Sequence, residues 1–362
     1  MNQNALYSDQ WREESSLLSS DGSSWIRTLT WHPDSGECPC GCVILVHGMA
    51  EHIERYDDFA TYLAGQGFAV AGYDHVGHGK SVANARDLGH IPLSSGKEVL
   101  IEDVHLVRQA LISRYPEYAY APLFIFGHSM GSFVTRAYLA RHAEGLAGAV
   151  LCGTGNPPYL LSRAGNLLCR LVAKVRGERC VSKLLYGLVE GKFAAFESET
   201  RTDLDWLSVD ESVVDAYIED PLSGQHFTAG GYAALTAVTA DAANKEVAAR
   251  VPATIPLLFV SGSNDPVGEA GKGVEAAVKL YKSAGVKEVD CILYPGMRHE
   301  ILNEPAHLTV YQDVYAWLTA HDAPRPEEGE DGRRNAADQG ECAHDEQQEG
   351  KGEGQGRSEG QE

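Results

Sequence analysis

The segment that most constrains the fold is residues 124–131, FIFGHSMG, where an apolar run leads directly into a Gly-x-Ser-x-Gly pattern. Its two glycines stand two residues either side of Ser129, and glycine permits a sharp turn from strand to helix. Residues 121–126 have the apolar character of a buried parallel strand, and residues 130–141 carry apolar side chains at helical spacing. The pattern predicts a nucleophile elbow, with the hydroxyl of Ser129 exposed above the edge of a sheet.

A serine hydroxyl is a weak nucleophile near neutral pH, so an elbow needs a histidine base and a carboxylate that orients this base. Asp265 follows an apolar strand predicted at residues 255–260, and His299 follows another at residues 289–294. The order Ser129, Asp265, His299 along the chain is the one associated with α/β-hydrolases. We expect the three side chains to meet over one edge of the sheet.

Each of these residues also has an ordinary structural interpretation. Asp265 precedes a proline and could be a turn residue, and most of the 14 histidines in the chain need no catalytic role. Glu300 is the alternative carboxylate, but a neighbour in sequence rarely reaches the side of the imidazole of His299. Three suitable residues at three strand ends favour the catalytic interpretation.

The oxyanion formed by attack on a carbonyl is usually held by two backbone N–H groups. The elbow supplies the amide of Met130. We assign the second donor to the amide of Met49, in the loop after the apolar strand at residues 42–46. Taken alone, the His-Gly pair in this loop would be an ordinary turn. Acyl transfer at such a site implies no metal and no organic cofactor.

Four motifs carry a resemblance to a known family over roughly residues 25–320: HGMAEHIERYDDFATYLAGQGFAVAGYDHVGHGKS, GHSMGS, SGSNDPVG and GMRHEILNE. They resemble the monoacylglycerol lipase and lysophospholipase branch of the α/β-hydrolases, often grouped with serine aminopeptidases. The resemblance implies a serine carboxylic ester hydrolase that cleaves monoacylglycerols or lysophospholipids through an acyl-enzyme. It also implies the roles given above for Ser129, Asp265, His299, Met49 and Met130. One position departs, because Val76 stands where relatives often have an arginine.

The order of predicted elements agrees with an α/β-hydrolase fold, a mostly parallel sheet flanked by helices. We predict the core at residues 1–154 and 252–322, a helical lid insertion at 155–251 and a disordered acidic tail at 323–362. Strands are predicted at residues 15–18, 25–31, 42–46, 68–73, 121–126, 147–151, 255–260 and 289–294, and helices at 56–63, 99–115, 130–141 and 306–318.

The predicted lid contains an amphipathic segment with basic flanks. From residue 163 to residue 192 there are seven basic and two acidic residues, in a chain of net charge −21. One interpretation is a helix packed over the active site with its polar edge in water. The other is a contact with a membrane surface, in which arginines meet phosphate. The apolar positions are Leu160, Leu161, Ala164, Leu167, Leu168, Leu171, Val172 and Val175.

Charge and cysteine content exclude several partners. The acidic composition without a basic stripe argues against nucleic acid, and the tail, with twelve acidic and five basic residues, is expected to be a solvated extension rather than a protein-binding segment. The run Cys38, Cys40, Cys42 lacks the second ligand pair of a zinc site. With neither a leader nor an apolar run of spanning length, we expect a cytoplasmic enzyme, peripheral to the membrane if the lid touches lipid.

Two other function classes remain open. A peptidase or amidase of the same fold would use the same catalytic residues but would need carboxylates for a substrate amine. Such carboxylates stand near the lid, at Glu197, Glu199, Asp203 and Asp205. A binding protein without hydrolytic activity is the weaker alternative, because every catalytic position is filled.

Overall fold

A single sheet of eight strands crosses the structure in the order β1-β2-β4-β3-β5-β6-β7-β8. The computed structural model describes residues 12–33, 38–194 and 200–322. β2 runs antiparallel to both of its neighbours, β1 and β4, and the other neighbours pair in parallel. The strands are β1 (Arg12–Leu18), β2 (Trp25–Trp31), β3 (Gly41–Val46), β4 (Phe68–Tyr73), β5 (Leu123–His128), β6 (Gly148–Cys152), β7 (Leu257–Gly262) and β8 (Val289–Tyr294).

The inner parallel strands β3 and β5 are apolar along most of their length because both faces of the sheet are covered there. Every residue of β3 and β5 is buried, and alternate side chains point to opposite faces. Ile44 and Ile125 enter the hydrophobic core on one face, whereas Val43 and Phe126 enter the core on the other. The predicted architecture of a mostly parallel, doubly covered sheet is confirmed.

Helices form the outer layers. α1 and α11 pack on one face of the sheet, and α2, α3 and α10 pack on the other. The helices are α1 (Asp57–Gly65), α2 (Gly96–Arg114), α3 (Met130–His142), α4 (Tyr159–Arg176), α5 (Lys183–Val189), α6 (Gly191–Ala194), α7 (Glu211–Glu219), α8 (Ala229–Ala242), α9 (Lys245–Ala248), α10 (Lys272–Ala284) and α11 (His307–Ala320).

Helices α4 to α9 form an insertion between β6 and β7. The described residues of this insertion add no strand to the central sheet. Within it, α8 is mostly buried and packs against α3 and α4. That the insertion acts as a lid stays a prediction, and residues 323–362, predicted to be a disordered tail, lie outside the described residues.

Arg136 on α3 joins both ends of the insertion to the core. This guanidinium is fully buried and donates to the carbonyl of Gly155 at 2.7 Å, to the side chain of Asn156 at 2.8 Å and to the carbonyl of Ala242 at 2.7 Å. Its Nε donates to the hydroxyl of Tyr281 at 3.3 Å. A buried cation requires such partners, so α3 fixes where the insertion leaves and rejoins the core.

The amphipathic helix predicted in the insertion is α4, but most of its large apolar side chains face outward. Leu160, Leu167, Leu171 and Val175 are between 55% and 77% exposed. The residues that α4 buries are Ser162, Cys169 and Ala173. Small side chains permit close packing on α8, and the surface that α4 exposes is not confined to its polar edge. That the helix packs over the active site stays a prediction.

The other predicted elements agree with the structure to within three residues at each end. Among the described elements, the long helices α8 and α10 have no predicted counterpart with bounds. In α10 the buried positions Val274, Ala277 and Tyr281 have helical spacing, so the sequence between β7 and β8 carries a local signal for this helix.

Phe126 provides a test of the core on the α1 side of the sheet. Its ring is 1% exposed and lies 5.0 Å from that of Phe59. Phe126→Ala should lower the free energy of unfolding by about 3 to 5 kcal/mol because it opens a cavity. Tyr120→Ala, at a side chain that is 86% exposed, is the control and should change it by less than about 0.5 kcal/mol. Equal effects in urea denaturation would contradict this packing.

Candidate active site

Ser129 lies in the turn between β5 and α3. Its φ of 52° and ψ of −118° are strained for a residue with a side chain. A Cβ atom on Gly131 would lie 1.9 Å from the carbonyl oxygen of Val46, and one on Gly127 would lie 2.4 Å from that of Gly131. Only glycine fits these two positions, and the local geometry is that of a nucleophile elbow.

His299 and Asp265 are in direct contact across 34 residues of sequence. Nδ1 of His299 lies 3.0 Å from Oδ2 of Asp265, and both side chains are buried. The carboxylate also accepts hydrogen bonds from the hydroxyl of Ser261 at 3.2 Å and from the N–H of Val267 at 2.8 Å. A proton on Nδ1 directed at the carboxylate leaves Nε2 of the imidazole unprotonated, as a general base requires.

The end of β6 brings His299 close to Ser129. The N–H of Ser129 donates to the carbonyl of Cys152 at 2.9 Å. A Cβ atom on the following residue, Gly153, would lie 3.1 Å from Cε1 of His299. No hydrogen bond joins the hydroxyl of Ser129 to a described residue, and such bonds in unliganded enzymes are often long and tighten when substrate binds.

The loop after β3, residues 47–52, lies against the elbow. A Cβ atom on Gly48 would lie 3.0 Å from Cβ of Ser129. Neither the N–H of Met49 nor that of Met130 donates a hydrogen bond within the part of the chain that the structure describes. Met130 begins α3, where the first N–H groups have no acceptor in the helix. Both amides are therefore available to an acceptor on a ligand.

The insertion holds the loop after β3 in place. Ala50 has a φ of 54°, which is uncommon for a residue with a side chain. Its carbonyl accepts hydrogen bonds from the hydroxyl of Tyr217, on α7, and from the N–H of Gly224, each at 2.8 Å. These two bonds stabilise a backbone conformation that the sequence of the loop alone would not favour.

The loop after β8 is likewise joined to the insertion. The ring of Trp206 lies 5.1 Å from that of His299, and the carbonyl of Leu207 accepts the N–H of Glu300 at 2.7 Å. The buried carboxylate of Glu304 accepts the N–H groups of Arg298, at 2.7 Å, and Val209, at 3.2 Å. The loop that carries His299 is therefore built partly from the insertion.

A hydrogen-bonded group of five side chains, which we name the elbow cluster, lies behind Ser129. Its members are Glu51, Arg55, Tyr56, His128 and Glu300. Arg55 donates to both carboxylate oxygens of Glu300, at 2.6 and 2.7 Å, so Glu300 does not orient the imidazole of His299. The other four members, Glu51, Arg55, Tyr56 and His128, stand in the motifs that carry the family resemblance. Their contacts have no local sequence signal, so no role was predicted for them.

The remaining candidate residues lie away from this arrangement or have local partners. The carboxylate of Asp205 accepts the hydroxyl and N–H of Thr202, whereas Glu197 and Glu199 lie outside the described residues. Val76 is buried, and the cation near Asp74 is Arg27 of β2, at 3.6 Å.

The described residues contain neither a cluster of metal ligands nor a helix suited to cross a membrane. Among the described residues, no three His, Cys, Asp or Glu side chains are grouped as metal ligands, and this includes Cys38, Cys40 and Cys42. None of the described helices is both long enough and apolar enough to cross a membrane.

The contact between Gly131 and Val46 is directly testable. Gly131→Ala should lower the free energy of unfolding by about 2 kcal/mol or more, because its Cβ would overlap backbone. Gly187→Ala on α5 meets no atom within 4 Å and should stabilise the chain by about 0.5 kcal/mol. If thermal unfolding gave the two variants similar stability, the elbow would not be packed as described.

Comparison with known proteins places this geometry in a family. The family model described as serine aminopeptidase, S33, matches residues 37–306. The chain is 31% identical to a monoacylglycerol lipase of Mycolicibacterium smegmatis over 80% of this chain and 91% of the relative. It is 26% identical to human monoglyceride lipase over 85% of this chain and 90% of that protein.

A solved structure gives the same result for the fold. A carboxyl esterase of Bacillus coagulans, crystallised in complex with glycerol, superposes with a TM-score of 0.78 at 28% identity, over 85% of this chain and 98% of the esterase. The α/β-hydrolase fold and the resemblance to monoacylglycerol lipases are confirmed. The peptidase alternative is supported only by the name of the family. The chain therefore belongs to the serine aminopeptidase S33 family of α/β-hydrolases.

Proposed function

We propose that this chain is a serine hydrolase that cleaves carboxylic esters of lipid-like substrates, with Ser129 as nucleophile, His299 as base and Asp265 as the group that orients the base. The observation that carries the proposal is the 3.0 Å contact between His299 and Asp265 at the edge of the sheet where Ser129 occupies an elbow. The relatives named as monoacylglycerol lipases support the same reaction class.

The reaction begins when Nε2 of His299 takes the proton of the Ser129 hydroxyl and the serine oxygen attacks the ester carbonyl. Negative charge develops on the carbonyl oxygen, which lies in reach of the amides of Met49 and Met130. Fixed N–H donors of this kind contribute roughly 3 to 4 kcal/mol of transition-state stabilisation each. Asp265 stabilises the imidazolium formed in this step.

The second half of the reaction repeats these roles with water. His299 donates its proton to the leaving alcohol, and Ser129 remains bonded to the acyl group. His299 then deprotonates a water molecule, which attacks the acyl carbon. The bond between the serine oxygen and the acyl group breaks, His299 returns the proton to the hydroxyl of Ser129, and the fatty acid leaves. The mechanism requires no metal or organic cofactor.

For the substrate, we propose a monoacylglycerol or a lysophospholipid. Support comes from relatives whose names specify monoacylglycerols, at 31% and 26% identity. A peptidase activity is the alternative. The turnover of a p-nitrophenyl acyl ester compared with that of an aminoacyl anilide distinguishes the two, and we expect the ester to react faster.

We further propose that α4 touches the surface of a membrane or lipid aggregate. Its exposed apolar residues Leu160, Leu167, Leu171 and Val175 follow one stripe of the helix, opposite the face buried on α8. Basic residues stand beside this stripe, at Arg163, Arg170 and Lys174. An outward apolar stripe flanked by cations is typical of helices that lie in the interface of an anionic bilayer.

The nucleophile is tested by Ser129→Ala. This variant should lose labelling by a fluorophosphonate and lower kcat for a soluble ester by about 10³-fold or more while the fold is retained. Ser283→Ala, at an exposed serine of α10, is the control and should react as the unmodified chain does. Retained labelling of the Ser129→Ala variant would refute the assignment.

The membrane contact is tested by Leu160→Ser combined with Leu167→Ser. We expect about tenfold weaker sedimentation with anionic vesicles and slower hydrolysis of vesicle-borne monoacylglycerol, since two apolar side chains no longer enter the bilayer. Hydrolysis of a soluble ester should not change. The control is Leu308→Ser, at a leucine of α11 that is 55% exposed.

The basic flank is tested separately by Arg170→Glu combined with Lys174→Glu. Each cation near an anionic surface contributes about 1 kcal/mol of binding free energy, so the charge reversal should weaken binding to anionic but not to neutral vesicles. Unchanged activity on anionic vesicles would exclude a role for these charges.

A further inference from the structure

The elbow cluster joins three loops that the proposed mechanism needs in fixed positions. Glu51 belongs to the loop that carries Met49, His128 precedes Ser129, and Glu300 follows His299. The side chains of Glu51, His128 and Glu300 are each about 95% buried. The mechanism proposed above gives none of these three residues a part in the chemistry.

The hydrogen bonds of His128 determine its protonation state. Its Nε2 lies 3.3 Å from the carbonyl oxygen of His299, which can only accept. Its Nδ1 lies 2.8 Å from the hydroxyl oxygen of Tyr56 and 3.3 Å from Oε1 of Glu51. The hydroxyl of Tyr56 donates its proton to the same Oε1 at 2.8 Å. With the proton of Tyr56 directed at Glu51, both ring nitrogens of His128 face acceptors, and an imidazole satisfies two acceptors only when it is protonated twice.

The charges of the cluster support this arrangement. Glu51 and Glu300 are two buried carboxylates, and Arg55 pairs with both, at 3.1 Å and 2.6 Å. With a neutral His128 the cluster would hold one unbalanced negative charge, which is costly in a buried site. With an imidazolium the two negative charges are balanced by two positive charges.

We infer that His128 is a buried imidazolium and, together with Glu51, acts as a positioning residue for the reaction. The inference rests on the proposed function, because it concerns the same site. On one side, the carboxylate of Glu51 accepts the N–H of Gly48 at 2.5 Å and so orients the peptide that leads into Met49. On the other side, Nε2–H of His128 donates to the carbonyl of His299 and fixes the loop of the base.

The direction of the pKa shifts agrees with the geometry. Burial would lower the pKa of His128, but the hydrogen bond and charge of Glu51 raise it above its ordinary value. Burial would raise the pKa of Glu51, but the hydrogen bond and charge of His128 and the charge of Arg55 lower it well below its ordinary value. The titratable groups that interact with His128 are Glu51, Tyr56, His299 and Glu300. Cys152 is its register partner on β6, and Arg55 pairs with Glu51 and Glu300.

The sign of the pH dependence follows from these directions. A histidine with a raised pKa contributes stability that is complete below its ordinary pKa and is lost as the pH rises through the raised value. The protonated imidazole of His128 binds both the carbonyl of His299 and the carboxylate of Glu51. We therefore expect kcat to fall on the alkaline side of the pH profile, as His128 loses its proton.

The first test uses the unmodified chain labelled with ¹⁵N in the histidine rings. Above the ordinary pKa of histidine, a resonance with both ring nitrogens protonated should persist, and this resonance should be missing in His128→Gln. If that variant does not fold, Tyr56→Phe identifies the resonance instead, because it removes the hydroxyl 2.8 Å from Nδ1 and should shift it. A spectrum in which His128 carries a single proton would overturn the inference.

The second test measures hydrolysis of a soluble ester against pH. His128→Gln should lower kcat about tenfold to a hundredfold with little change in KM, because it misplaces the reacting groups without removing them. It should also remove the alkaline fall in kcat. Glu51→Gln should move that fall to lower pH, since the carboxylate that stabilises the imidazolium is absent.

His142→Gln is the matched control. His142 stands at the other end of α3, where it makes a part-buried pair with Glu102 at 3.0 Å, and its variant should keep the kcat and pH profile of the unmodified chain. An unchanged alkaline limb in His128→Gln would overturn the positioning role. Failure of the proposed function gives a different result: the Ser129→Ala variant would then still hydrolyse the ester.

Discussion

The structure of the site depends on direct contact between the end of β3 and the turn from β5 to α3, with no side chain at the two glycines where they meet. Gly131 lies so close to the carbonyl of Val46, and Gly48 so close to Ser129, that a Cβ atom at either glycine would overlap its neighbour. This contact brings the elbow and the loop after β3 together at one edge of the sheet. It also leaves strain at Ser129 and Ala50, whose φ values are positive, and the surrounding hydrogen bonds must hold that strain.

Much of this support comes from the insertion between β6 and β7. Tyr217 and Gly224 bind the carbonyl of Ala50, and Trp206 and Leu207 contact the loop that carries His299. The insertion is thus part of the wall of the site. Motion of this segment would be transmitted to the positions of Met49 and His299, because the two loops that carry them contact it.

Sequence patterns predicted the strands, the helices α1 to α4 and α11, and the residues at the strand ends, because each of these signals is local. An apolar run, a glycine pair or a polar residue after a strand can be recognised within about ten positions. The elbow cluster has no such signal. Arg55 meets Glu300 across 245 residues, and His128 meets Glu51 across 77, so only the folded chain brings these charges together.

The direction of α4 illustrates the same limit. Its period predicted an amphipathic helix, yet hydrophobic periodicity does not say which face packs on a neighbour, and the residues that α4 buries completely are small. The sequence alone determined the fold class and the order Ser129, Asp265, His299, because period and spacing are properties of the chain. The tertiary structure alone decided the partners of Glu51, His128 and Glu300 and the outward face of α4, because burial and charge pairing depend on which distant segments meet.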